Sequence, residues 1–187
     1  MRHTIFFAAI VVIAIDGHAA EPTSTLTASE IPTIVLQPVF DCYRANSAWG
    51  FTLSGKIIDN NGKIWSYGKH GQPWQPTLAR EGSSVYLTAK MLQTKFVEPT
   101  EIGSVDPKAL QDNSELIAKA GKGTLSRTDT GVRDAGTSAC HAYIRENERY
   151  QDIDLGSDNG VSDMRNSNDA PEAQVLLSWL KSVGVAN

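Results

Sequence analysis

Hydrophobic and polar positions along this chain change period several times, and each change predicts a new element. From Ile5 to Ile15 the residues are apolar without a break, behind Arg2 and His3 and ahead of Asp16, Gly17, His18, Ala19 and Ala20. A bilayer span needs roughly 20 apolar residues, so this run is too short to cross one. Small residues at Gly17 and Ala19 fit a signal peptidase, which predicts that residues 1–20 are a secretory signal cut after Ala19 or Ala20. Residues 21–32 are mostly Thr, Ser, Pro, Ala and Glu, a composition that predicts a flexible leader.

Alternation begins beyond the leader. A strand is expected from Thr33 to Tyr43, with Pro38 forcing an edge position or a bulge. Trp49, Phe51 and Leu53 alternate with Gly50, Thr52 and Ser54, the period of a half-buried strand, and Ile57 keeps the parity while Ile58 breaks it. Asp59, Asn60, Asn61 and Gly62 predict a turn, after which Ile64, Trp65 and Tyr67 resume a strand and complete a first hairpin. The glycines and prolines between Gly68 and Gly82 predict a long irregular loop.

The period then lengthens. A helix is expected from Ser83 or Ser84 through Phe96, and a second from Asp106, with Pro107 in its first turn and a stop at Gly121 and Gly123. Strand character returns at Thr124 to Ser126 and from Ser138 to Arg145, and Tyr150 to Leu155 makes the second arm of another hairpin. Residues Gly156 to Asn168 read as a polar loop. A last helix opens at Asp169 with Glu172 in capping-box spacing and carries Ala173, Leu176, Leu177, Leu180 and Val183 to a stop at Gly184. Hairpins where a parallel sheet would need crossover helices predict the α+β class. The expected body is one domain over residues 33–187, an antiparallel sheet of about five strands in two hairpins with about three helices packed on one face.

Length and charge narrow the function classes. Removing the signal leaves about 167 residues, enough to bury a core. Arg2 and Asp16 leave together, so the net charge stays at −4, which argues against a nucleic-acid partner. Cys42 and Cys140 both survive processing, and an even count in an oxidising compartment favours a disulfide over two buried free thiols. No cysteine stands at the cleavage point to carry a lipid anchor, so the mature chain is expected to be soluble, without a transmembrane segment, in the periplasm or secreted.

Candidate chemistry is sparse. His70 and His141 are the histidines of the mature chain, and a zinc site of His and Cys alone would need both of them and both cysteines, without the close paired spacings such sites show. No metal or cofactor is therefore expected. Phe40-Asp41-Cys42 resembles the Asp-Cys pair of cell-wall-cleaving cysteine peptidases, but Tyr43-Arg44 stands where Ser-Gly usually follows, and no catalytic role carries over. Cys140 and His141 point to opposite faces of a strand and cannot pair with each other. The G-x-S-x-G elbow of serine hydrolases does not occur.

Oxygen-rich residues Asp152, Asp154, Asp158, Asn159, Asp163, Asn166, Asn168 and Asp169 suggest calcium or, more simply, a solvated turn that caps the last helix. They miss the spacing of a helix-flanked calcium loop, because a start at Asp154 puts Asn159 where the glycine belongs and Arg165 where the bidentate acid belongs. Glu81, Glu98, Glu101, Asp134, Glu146 and Glu148 offer carboxylates for glycoside hydrolysis, with nothing to single out a pair. Tyr67, Lys69, His70 and Trp74 form the candidate binding surface, since aromatic side chains beside mixed charge favour recognition, although Trp74 could instead fold back over the core. The expected function is a binding protein, of inhibitor or immunity type, that grips another extracytoplasmic protein. The alternative is an extracytoplasmic hydrolase of cell-wall or other extracellular polymer, with a carboxylate or His141 as base.

Overall fold

Antiparallel pairing organises this chain, between consecutive strands in the hairpins and between strands distant in sequence elsewhere. The computed structural model describes residues 35–129, 136–158 and 164–186, so the signal and the leader lie outside the described residues. The described residues belong to one compact unit, residues 34–187. The strands are β1 (Pro38–Asn46), β2 (Phe51–Asp59), β3 (Lys63–Gly71), β4 (Ala79–Glu81), β5 (Ser84–Thr88), β6 (Thr100–Ser104), β7 (Leu125–Asp129), β8 (Thr137–Glu146), β9 (Arg149–Asp158) and β10 (Met164–Asn168). The helices are α1 (Ala89–Lys95), α2 (Pro107–Ser114), α3 (Ile117–Ala120) and α4 (Pro171–Ser182). All ten strands join one sheet in the order β4-β5-β9-β8-β1-β2-β3-β6, with β10 pairing β7 and β9. The expected sheet of about five strands is therefore too small, and a mainly antiparallel β architecture replaces the α+β expectation.

The first hairpin forms where the alternation places it. Asp59 is buried at its turn: one carboxylate oxygen accepts from the Asn61 and Lys63 backbone N–H groups at 2.9 Å, and the other from the Trp65 indole at 2.9 Å. Gly62 closes the turn at φ 79°, a conformation a side chain would resist. Trp49 departs from the expected inward parity and stands fully exposed outside the strand, with Leu53 as the first deeply buried residue of β2. Pro38 opens β1 beside a register shift, the bulge its missing N–H demands, yet β1 lies at the centre of the sheet rather than at an edge.

Other boundaries move for reasons of pairing. The expected helix from Ser83 or Ser84 begins as strand β5, paired with β9 through Val85 and Leu87, and turns helical only where the Thr88 hydroxyl accepts from the Met91 N–H. The expected loop from Gly68 to Gly82 contains the end of β3 and the short β4. The expected loop after Gly156 contains the end of β9 and all of β10. The second helix starts as the sequence predicts, with the Asp106 carboxylate accepting from the Ala109 N–H at 2.9 Å and Pro107 in the first turn, but it breaks into α2 and α3. Helix α4 lacks the expected capping box. Ala170 holds the cap position, while Asp169 instead accepts from the Thr124 N–H at 2.6 Å.

Both faces of the sheet are covered, which explains why Ile57, Ile58 and Asp59 are buried in succession. On one face Phe40, Ile58, Ala142 and Ile153 pack beneath Leu110 of α2, Ile117 and Ala120 of α3, and Ala173, Leu176 and Leu180 of α4. On the other face Leu53, Ile57, Trp65 and Tyr150 pack beneath Leu92 and Phe96 of the α1 region. Helices on a single face are thus corrected to helices on both.

Cys42 and Cys140 lie directly opposite one another on β1 and β8 and form a disulfide. Their sequence separation is 98 residues, so the bridge closes a long loop at the middle of the sheet. Replacing both by alanine is expected to lower unfolding stability by about 2–4 kcal/mol in chemical denaturation. A denaturation midpoint equal to that of the oxidised wild type would contradict this.

Candidate functional site

Three cross-strand rows on the α4 face differ sharply in side-chain size. Ile64, Ile58, Phe40, Ala142 and Ile153 stand side by side and fill the space under the helices. One row along, the same five strands present Ser66, Lys56, Cys42, Cys140 and Gly156. The next row presents Gly68, Ser54, Arg44 and Ser138. Small residues cannot reach the second half of α4, and a cavity of about 700 Å³ opens there, bounded by Leu177 and Lys181 of α4, by Val185 and Ala186 beyond it, and by Asn166 to Asp169. Lys56 Nζ donates to the Gly184 carbonyl at 2.6 Å and ties the end of the helix to the sheet.

The opposite face carries a buried polar cluster. Lys95 is 1 % exposed and forms an ion pair with Asp41, which is fully buried. Asp41 also accepts from the Tyr67 hydroxyl at 2.7 Å and from the Tyr143 hydroxyl at 3.3 Å. Burial, reinforced by the Asp41 charge, raises the phenol pKa of Tyr67 and Tyr143 well above the ordinary value, so both remain donors. The Lys95 ammonium lies 4.0 Å from the Tyr43 ring centroid and 4.8 Å from that of Trp74, faces that favour a cation.

Beside this cluster His141 Nδ1 and Asp152 Oδ1 are 2.7 Å apart, with the side chains 15 % and 16 % exposed, and Tyr43 stacks on the imidazole at 5.7 Å. Burial alone would lower the His141 pKa, but the charge of Asp152 and the bond to it outweigh burial and raise it. Burial likewise pushes Asp152 up, and His141 overcomes it to leave that carboxyl lowered. Asp154 is raised, chiefly by burial, and accepts from the Gly156 N–H at 2.8 Å.

The expected binding set divides. Tyr67 and Trp74 converge on the buried pair, Tyr67 through Asp41 and Trp74 through Lys95, with the Trp74 indole donating to the Met91 carbonyl at 3.2 Å. Lys69 and His70 stay on β3 away from it, opposite Leu53 and Thr52, with His70 exposed. Trp74 has thus folded back over the core. Asp41, Lys95, Tyr143 and Asp152 were not anticipated as a group. One signal was present: Leu92, Lys95 and Phe96 share a helical face, so the lysine interrupts an apolar stripe.

Both cysteine sulfurs are in the disulfide, so neither is available as a thiolate. Among the described residues no group of three or more His, Cys, Asp or Glu side chains could hold a metal ion. Of the oxygen-rich segment, Asn168 is buried and donates to the Ala120 and Asp154 carbonyls and Asn166 bonds the Asp154 side chain, while Asn159 and Asp163 lie outside the described residues. Of the candidate carboxylates, Glu81 pairs with Arg149 and Glu101 with Lys63 at the surface, and Asp134 lies outside the described residues. No described helix is long and apolar enough to cross a membrane. The chain matches no protein-family model, no curated protein and no solved structure.

A pH dependence follows from the His141–Asp152 pair. A histidine whose folded pKa lies above its ordinary 6.5 contributes stability that is complete below that value and lost as pH rises through the folded pKa. The lowered Asp152 contributes above its ordinary 3.8 and loses its contribution as pH falls through the folded value. The melting-temperature gap between wild type and His141→Gln is expected to be widest near about pH 5.5 and to shrink toward about pH 9. A gap that holds constant or widens across that range would contradict the pairing.

Proposed function

We propose that this chain is a secreted or periplasmic binding protein that holds its ligand in the cavity between α4 and the sheet. The supporting observation is the cavity of about 700 Å³, inside the range of roughly 300–1,000 Å³ typical of ligand pockets, lined by polar side chains such as Ser54, Ser66 and Gln174 together with apolar Leu155, Leu177 and Val185. The cross-strand disulfide lies in its wall, which suits an oxidising compartment. A hydrolase of extracellular polymer remains less well supported. One of its candidate bases, His141, sits on the opposite face of the sheet from the cavity, and two of its candidate carboxylates, Glu81 and Glu101, are held in surface ion pairs.

A second reading keeps a protein partner, of the kind an inhibitor or immunity-type protein grips. It is favoured by Trp49, fully exposed on the turn between β1 and β2, and by exposed His70, which pairs with Thr52 at the same end of the sheet. Native mass spectrometry of protein purified from its own compartment separates the two readings. Wild type is expected to carry a small-molecule adduct that Ser54→Trp, which fills the cavity, excludes without loss of fold. Identical spectra for both would overturn the ligand reading. A protein complex lost in Trp49→Ala and retained in Ser54→Trp would favour the second.

A further inference from the structure

The cavity has a charge opposite to that of the chain. Arg44, Lys56 and Lys181 line it in a protein whose formal net charge is −4, and Asp169 is the one carboxylate among the described residues of its lining. That carboxylate is engaged by the Thr124 N–H. Lys56 is engaged by the Gly184 carbonyl. Arg44 and Lys181 have no hydrogen bond or ion pair among the described residues, and both residues are exposed. Leu155, Leu177 and Val185 with the disulfide supply an apolar surface in the same lining.

We infer that the cavity takes an amphipathic organic anion, with its carboxylate between Arg44 and Lys181 and its apolar body along the disulfide, Leu177 and Val185. The inference rests on the reading of the cavity as the binding site and adds the chemical class. Two positive donors in one lining favour an acid: the guanidinium supplies a planar fork that matches a carboxylate, and the ammonium supplies a second positive charge. Hydroxyls at Ser54 and Ser138, in the same cross-strand row as Arg44, can receive and donate bonds around the head group. An apolar amine meets the opposite situation, since Asp169, the acidic side chain described in the lining, is already bonded to backbone.

The test uses the full mature chain and three probes of equal chain length: laurate, dodecanol and dodecyltrimethylammonium. Binding is read by displacement of a fluorescent naphthalene sulfonate and checked by calorimetry. Laurate is expected to bind, the cation is not, and Arg44→Gln with Lys181→Gln is expected to weaken laurate by about tenfold or more while leaving the melting temperature close to wild type. Ser54→Trp is expected to abolish binding of every probe. Equal binding of all three probes, unchanged by the charge substitutions yet lost in Ser54→Trp, overturns the anion inference and leaves the cavity reading standing. Absence of binding by every probe overturns both.

Discussion

The buried ion pair between Asp41 and Lys95 is the constraint around which the second face of this protein is arranged. Removing two charges from water costs several kcal/mol each, and their attraction compensates only where the remaining lone pairs and protons are satisfied. Here two tyrosine hydroxyls complete the carboxylate and two aromatic rings flank the ammonium. Those partners come from β1, β3, β8, α1 and the segment carrying Trp74, so one pair requires five parts of the chain to be in place together. Cys42, the next residue, points the other way and bonds to β8. Two consecutive side chains thus fix the central strand from both sides.

That cluster occupies one face, and the cavity lies on the other. The row containing Phe40 is bulky and carries the helices, whereas the rows containing Cys42 and Arg44 are built largely of Ser and Gly. A sheet that changes side-chain size along its strands cannot stay in contact with a straight helix over its whole length. The space left beneath the end of α4 is a consequence of sequence, and its polar lining makes it wettable and able to exchange solvent for a ligand. The positive side chains there stand against an acidic whole, a contrast that the net charge conceals.

Much of this was legible in the chain. Alternation from Phe51, the Asp59 to Gly62 turn, the Asp106-Pro107 start and the three-four repeat of α4 all report elements with one apolar face, which is what periodicity detects. The disulfide followed from cysteine number and compartment. Strands such as β6 and β10 were invisible for the converse reason: Thr100–Ser104 is exposed throughout, and Met164–Asn168 is polar, so neither alternates. Their formation depends on open strand edges at β3 and at β7 and β9. Likewise Ser84–Thr88 could be fitted to a helical face in isolation, and only its pairing with β9 decides for a strand. The Lys95 cluster joins residues as far as 102 positions apart and belongs to the fold rather than to any local pattern.

A double-mutant cycle with Asp41→Asn and Lys95→Met, read by chemical denaturation, tests most directly that the buried pair holds the second face. Each single substitution is expected to cost about 3–5 kcal/mol, because it leaves a charge buried without its partner. The double substitution is expected to cost less than their sum by about 2 kcal/mol or more. Strictly additive losses, or single variants as stable as the wild type, would contradict it.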